Sequence, residues 1–172
     1  MKFDVIIIGG DRCDAAEGLR YIKEGKSVCL IAEGGHLDSP EDRLNFAHNG
    51  GTLLLGDSVA RVEWTEDGSV ASLFTVNLGS TPLEAPLYVL ASGRFFTKGL
   101  CSDMDKVWEP VFGADVSFGE DPSKWCCAED FFAPQPFESF GVLTSGDGHV
   151  LKGGAPVANL IACGSILADS KK

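Results

Sequence analysis

The chain has 172 residues, is 44% hydrophobic and 23% charged, and carries a formal net charge of −11. Those fractions are those of a folded protein rather than a disordered one, and the length fits one domain burying roughly 70% of its unfolded surface. So acidic a surface repels phosphate backbones and anionic headgroups, which argues against nucleic acid and against direct membrane insertion.

In chain order, Phe3 to Ile8 is a short, wholly apolar, β-branched run, the pattern of a central parallel strand buried on both faces. It is too short for a signal or a spanning segment, so a cytoplasmic location is expected. Gly9-Gly10 breaks the run, and Ala15 to Lys23 carries Ala, Leu and Ile at helical spacing with Gly25 as the stop. Ser27 to Ala32 is a second apolar strand closed by Glu33. Strand, glycine turn, helix, strand and acid in that order are the βαβ dinucleotide plan.

Ser39-Pro40-Glu41-Asp42 suits the start of a short helix. From Gly51 to Leu90 the pattern turns to β, with strands predicted over Thr52–Leu55, Ser58–Thr65, Val70–Val76 and Leu87–Leu90 and a hairpin turn at Glu66-Asp67-Gly68. Residues 97–136 are rich in Phe, Trp, Pro and Cys without a clean period. Asn159 to Leu167 reads as a strand running into a helix, with Gly164 at the turn. The fold class expected is therefore α/β: a Rossmann-like FAD/NAD(P)-binding domain with a central parallel sheet and an antiparallel β meander crossover.

The glycine loop carries the chemistry. In a Gly-x-Gly-x-x-Gly turn the first glycine permits the bend, the second lets backbone approach a pyrophosphate, and the third lets helix and strand pack closely. Here the positions read Gly9-Gly10-Asp11-Arg12-Cys13-Asp14, and only the first of the three glycines is present. Carboxylates about 5 Å from a pyrophosphate would each cost a few kcal/mol at an effective dielectric near 20, which Arg12 would offset in part. A carboxylate also satisfies a helix N-terminus as a phosphate does, so Asp11 or Asp14 capping an empty helix is the competing reading. Glu33 follows Asp14 by 19 residues, where an acid would meet an adenosine ribose.

The six cysteines include no Cys-x-x-Cys pair and lie far in sequence from the three histidines, which favours free thiols over a zinc site. The adjacent Cys126-Cys127 has nothing beside it to lower a thiol pKa. His48 and His149 are the available bases, and each sits in a Gly-containing stretch that reads as surface.

Four stretches resemble the flavoprotein B subunit of anaerobic glycerol-3-phosphate dehydrogenase. They are Phe3-Asp4-Val5-Ile6-Ile7-Ile8-Gly9-Gly10, Val89-Leu90-Ala91-Ser92-Gly93-Arg94-Phe95-Phe96-Thr97-Lys98-Gly99-Leu100, Pro136-Phe137-Glu138-Ser139-Phe140-Gly141-Val142, and Asn159-Leu160-Ile161-Ala162-Cys163-Gly164-Ser165-Ile166-Leu167. The first is shared by many flavoproteins, while the middle and last are more specific. The resemblance implies FAD or FMN as cofactor, other subunits of a redox complex as partners, and membrane association only through such a partner.

On that resemblance the cofactor-binding residues would be Gly9, Gly10, Arg12, Glu33, Ser92, Gly93, Gly164 and Ser165, with no catalytic residue and no metal ligand assigned. Ser92-Gly93 ends a strand with a small-residue turn that lets backbone pass a flat cofactor, and Gly164-Ser165 opens a helix whose N–H groups would meet a phosphate or ring edge. For both turns the alternative is a packing contact between strand and helix.

The chain departs from the family in its loop and in its length, which is under half of that expected. Residues 1–172 then form one flavoprotein-type domain, with the second, substrate-covering domain missing after about His36. Three functions stay open at this point: a redox or accessory subunit with weakened or lost FAD or FMN binding, a non-catalytic interaction module with an empty nucleotide site, and a binder of another nucleotide or small metabolite. FMN suits the altered loop better than FAD, since it lacks the pyrophosphate and adenosine that the loop and Glu33 would serve.

Overall fold

Strand β1 (Val5–Gly9) lies at the centre of a six-stranded sheet, as a run of β-branched residues buried on both faces requires. The computed structural model describes residues 1–34 and 40–169, and Ser39, at the start of the expected helix, lies outside them, as does His36. After β1 come helix α1 (Asp14–Lys23), β2 (Val28–Ala32), α2 (Pro40–His48) and β3 (Thr52–Leu55). The hairpin β4 (Val59–Trp64) and β5 (Val70–Thr75) leads to β6 (Leu87–Ala91). Short pairs follow, β7 (Cys101–Ser102) with β8 (Val107–Trp108), and β9 (Val116–Ser117) with β10 (Gly141–Val142). The chain ends on β11 (His149–Lys152) and β12 (Ala155–Ala162).

The sheet order is β11-β12-β6-β1-β2-β3, parallel throughout except for the β11–β12 edge. Period-two alternation divides the core between its faces. Val5, Ile7, Val28, Leu30, Val89 and Ala91 face the helices, packing on Ala15, Tyr21 and Phe46. Ile6, Ile8, Cys29, Ile31, Tyr88, Leu90 and Leu160 face the hairpin and the long irregular stretch. Phe46 is fully buried, and a Cβ at Gly18 of α1 would come within 2.6 Å of its ring. That absence of a side chain is what brings α2 down onto α1.

The predicted α/β fold is present, with two differences in detail. Thr52–Leu55 joins the parallel sheet beside β2, with Leu30 opposite Leu53, rather than starting the meander. The meander itself is the β4–β5 hairpin, to which Leu83 adds a single antiparallel bridge at Leu73. It is tied to the sheet by Asn159, whose amide accepts from Val70 N–H at 2.9 Å and donates to Val70 C=O at 2.8 Å. Secondly, among the described residues no α-helix follows β12: Gly164–Ile166 is one 3-10 turn, and Leu167 is extended again and bridges Val142. The backbone there is drawn off along β10 before a second turn can form.

Residues 97–136, unreadable by period, are organised around Glu109. Its carboxylate is 1% exposed and accepts the N–H groups of Val111, Phe112 and Ala114 at 2.8, 2.7 and 3.3 Å. A buried acid that collects backbone donors replaces the regular ladder that this stretch lacks.

Candidate functional site

The carboxyl ends of the parallel strands β1, β2, β3 and β6 meet at one edge, where open α/β sheets take their ligands. A cleft of about 250 Å³ opens there, with Gly9, Glu33, Asp57, Ser92, Thr97 and Lys98 among its lining. A second hollow of about 190 Å³, reaching Gly10, Gly34 and Phe96, shares Gly9, Glu33, Thr97 and Lys98 with it. Both are small beside the roughly 300–1,000 Å³ of ordinary ligand pockets.

Gly10 has φ +153°, and a Cβ there would stand 2.7 Å from Ser92 C=O. A Cβ at Gly99 would fall 1.8 Å from Gly93 C=O. The loop after β1 thus touches the end of β6 backbone to backbone, and the loop after β6 closes on itself in the same way, which only small residues permit. Among the described residues the Ser92 hydroxyl is buried without a hydrogen-bond partner.

The loop's acids are turned inward. Asp14 is 2% exposed. Its Oδ2 accepts Gly10 N–H at 3.0 Å and a guanidinium N–H of Arg43 at 2.8 Å, while Oδ1 accepts Ala15 N–H. The other arm of Arg43 donates to Gly34 C=O at 2.8 Å, so this residue of α2 clasps the ends of β1 and β2 together. Asp11 turns the other way, toward the exit of β12: Oδ2 accepts Ser165 N–H at 2.6 Å and Oδ1 accepts Arg12 N–H at 2.7 Å. Burial works to raise the Asp11 carboxyl, but the Ser165 and Arg12 donors outweigh it and hold it below the usual carboxylate range.

The Asp11 carboxylate, like that of Asp14, is committed to backbone amides, in its case those of Ser165 and Arg12. Capping is divided accordingly. The N-cap residue Cys13 makes no side-chain cap, and Asp14 supplies the acceptors from the first position of the helix.

The predicted residues fall into two groups. Gly9, Gly10, Glu33 and Ser92 meet around the cleft, with Gly93 behind them against Thr97. Arg12 is exposed, and Gly164 and Ser165 lie on the opposite side of the loop against Cys13 and Asp11. Glu33 is paired, its Oε1 accepting from Lys98 Nζ at 2.7 Å. Lys98 holds the left-handed region at φ +63°, the one non-glycine among the described residues to do so. Away from the site, His48 is exposed and His149 contacts Asp147 at 3.1 Å.

Sequence reasoning missed Arg43, Asp57 and Lys98. Asp57 is buried, accepting Ser58 and Asn77 N–H at 2.9 and 3.0 Å. Its signal was its place just past β3, had β3 been assigned to the parallel sheet. Lys98 lay within a stretch already singled out. Arg43 had no local signal.

A dinucleotide pyrophosphate needs free amides at the helix start, and those of Gly10, Arg12 and Ala15 are taken by Asp14 and Asp11. The β6 side does suit close approach of a ligand, through the Gly10–Ser92 contact and the unpartnered Ser92 hydroxyl.

The family model described as FAD binding domain matches residues 38–171. The B subunit of anaerobic glycerol-3-phosphate dehydrogenase from Vibrio vulnificus (strain CMCP6) is 41% identical over 124 residues, covering 72% of this chain and 28% of that protein. The protein of the same name from Actinobacillus succinogenes (strain 130Z) is 42% identical over 130 residues, covering 73% and 30%. The chain thus spans under a third of the length of these relatives. Among solved structures, a geranylgeranyl bacteriochlorophyll reductase-like protein from Thermoplasma acidophilum superposes with TM-score 0.44 at 13% identity, over 54% of this chain and 39% of that one; nothing is argued from so slight a likeness.

Proposed function

Since the chain belongs to the FAD binding domain family and is homologous to the B subunit of anaerobic glycerol-3-phosphate dehydrogenase, we propose that it is a module of that flavoprotein type whose own hold on flavin is weakened. The observation that carries this reading is Asp14, which takes the Gly10 amide that a pyrophosphate would need and is itself neutralised by the buried Arg43. The loop is satisfied without a ligand. A phosphate arriving there must displace a carboxylate from three donors, and it gains little that the loop lacks.

FMN is the better-suited flavin, because it needs neither the pyrophosphate seat nor a free Glu33, which Lys98 occupies. The ring would lie where β6 ends, with Gly10, Ser92 and Gly93 as the close-approach residues. Arg12, Gly164 and Ser165 would then support the loop from behind. Among the described residues the cleft lining includes no histidine, and no catalytic residue is assigned. Substrate chemistry and electron exit would belong to other subunits, as would any attachment to a membrane from the cytoplasmic side. Residues 1–172 act as one flavoprotein-type domain in this reading.

Restoring the loop tests the reading. In the double variant D14G/R43M the Gly10 amide is freed and no buried charge is left alone. Titration of both proteins with FAD should show about tenfold or greater tightening in the variant, about 1.4 kcal/mol or more. Equal affinity in a variant with native circular dichroism would contradict it.

A further inference from the structure

Cys13 and Cys163 are separated by 150 residues, yet their sulfurs lie 3.8 Å apart. Cys13 ends the glycine loop, and Cys163 follows β12, its N–H held by Leu90 C=O at 3.0 Å. The contact is built at backbone level. Gly164 has φ +79°, and a Cβ on it would come 2.4 Å from Cys13 Sγ and 2.5 Å from Asp11 Oδ2. Ser165 N–H, next in the chain, is bound by Asp11. Two turns from strands that β6 separates in the sheet are thus pressed together with their thiols facing.

A disulfide needs its sulfurs about 2.05 Å apart. The two thiols are already in contact. Both cysteines are partly exposed, so a small reagent reaches them. By contrast Cys29 is buried beneath the sheet.

We infer that Cys13 and Cys163 form a dithiol–disulfide site that locks the glycine loop to the Gly164 turn when a low-molecular-weight disulfide such as oxidised glutathione is present. One cysteine sulfur attacks the glutathione disulfide, forming a mixed disulfide and releasing one glutathione. The second cysteine attacks the protein-bound sulfur and expels the other glutathione. The protein loses two electrons and two protons, and both thiol protons end on the two glutathione molecules formed, so the exchange balances. The contact between the two sulfurs holds the Cys13 thiol up and the Cys163 thiol down, which makes Cys163 the better attacking sulfur. Disulfides that form transiently and reversibly are the kind used in redox sensing. The inference stands independently of whether flavin binds.

The native chain is equilibrated with glutathione over a range of reduced-to-oxidised ratios, alkylated, digested and mapped by mass spectrometry. The expected result is a linked Cys13–Cys163 peptide lacking two hydrogens, together with a urea midpoint that rises and returns on adding dithiothreitol. The variant C163S should show neither, and the mapping of the native chain stands even if that variant folds poorly. Separate glutathione adducts on the two residues, or both still alkylated at the most oxidising ratio, would overturn it.

Discussion

Arg43 donates to Asp14 Oδ2 at 2.8 Å across two buried side chains, 8% and 2% exposed. This pair joins α2 to the start of α1 and decides what the glycine loop offers a ligand. Removing one partner leaves a buried charge alone. R43M should therefore cost about 3–5 kcal/mol of stability in urea unfolding, and D14G/R43M should recover most of that loss. R43K should also be destabilised, because a lysine cannot reach Asp14 and Gly34 C=O together.

Backbone contacts at the cleft, one between the loops after β1 and β6 and one within the latter, predict a sharp contrast among glycines. G10A places a methyl 2.7 Å from Ser92 C=O, and G99A places one 1.8 Å from Gly93 C=O. Each should destabilise by about 1–3 kcal/mol or more, since the obstacle is backbone. G146A meets nothing within 4 Å and should stay within about 0.5 kcal/mol of the native chain. Thermal or urea unfolding of the three variants checks this.

At Lys98 two effects compete, and their sizes predict the sign. The ion pair with Glu33 is largely exposed, at 69% and 49%, and is worth at most about 1 kcal/mol. The left-handed backbone costs a non-glycine residue roughly 1–2 kcal/mol. K98G should therefore match or exceed the native stability. K98A, which loses the pair and keeps the strain, should fall below it. The same urea series reads both.

The carboxyl of Asp11 is held below its ordinary range by the Ser165 and Arg12 donors against the opposing effect of burial. A depressed folded-state pKa contributes stability that is present above the unfolded value and is lost as pH falls through the folded one. D11N should be less stable than the native chain at neutral pH by about 1–2 kcal/mol. The gap should narrow once the pH drops below the usual carboxylate range. Urea midpoints measured from pH 7 downward give the comparison.

What could be read from the residues follows the range of the interactions. Val5 to Ile8 announced a doubly buried strand because a central parallel strand must be apolar on both faces, and Gly9, Glu33 and Ser92 followed from strand ends. The 3-10 turn at Gly164 misled, since what decides against a helix there is the pairing of Leu167 with Val142, far back in the chain. Arg43 was illegible for a similar reason. It lies 29 residues from Asp14, in a helix with nothing to mark it as more than a solvated face. The commitment of Asp11 was out of local reach too, since its partner, Ser165, lies 154 residues away. Local propensity carries the elements, while the commitments of individual charges are set by tertiary neighbours that no window contains.

The central claim is that the loop's own carboxylates have taken the place of a phosphate. It is tested most directly by calorimetric titration of the native chain with FAD and, separately, with FMN, after its flavin absorbance as purified has been recorded. The account predicts no co-purifying FAD, FAD affinity weaker than about 1 μM, and FMN binding no weaker than FAD. FAD that co-purifies, or that binds at about 1 μM or tighter, would contradict it, for the Gly10 amide would then be available to a pyrophosphate despite Asp14.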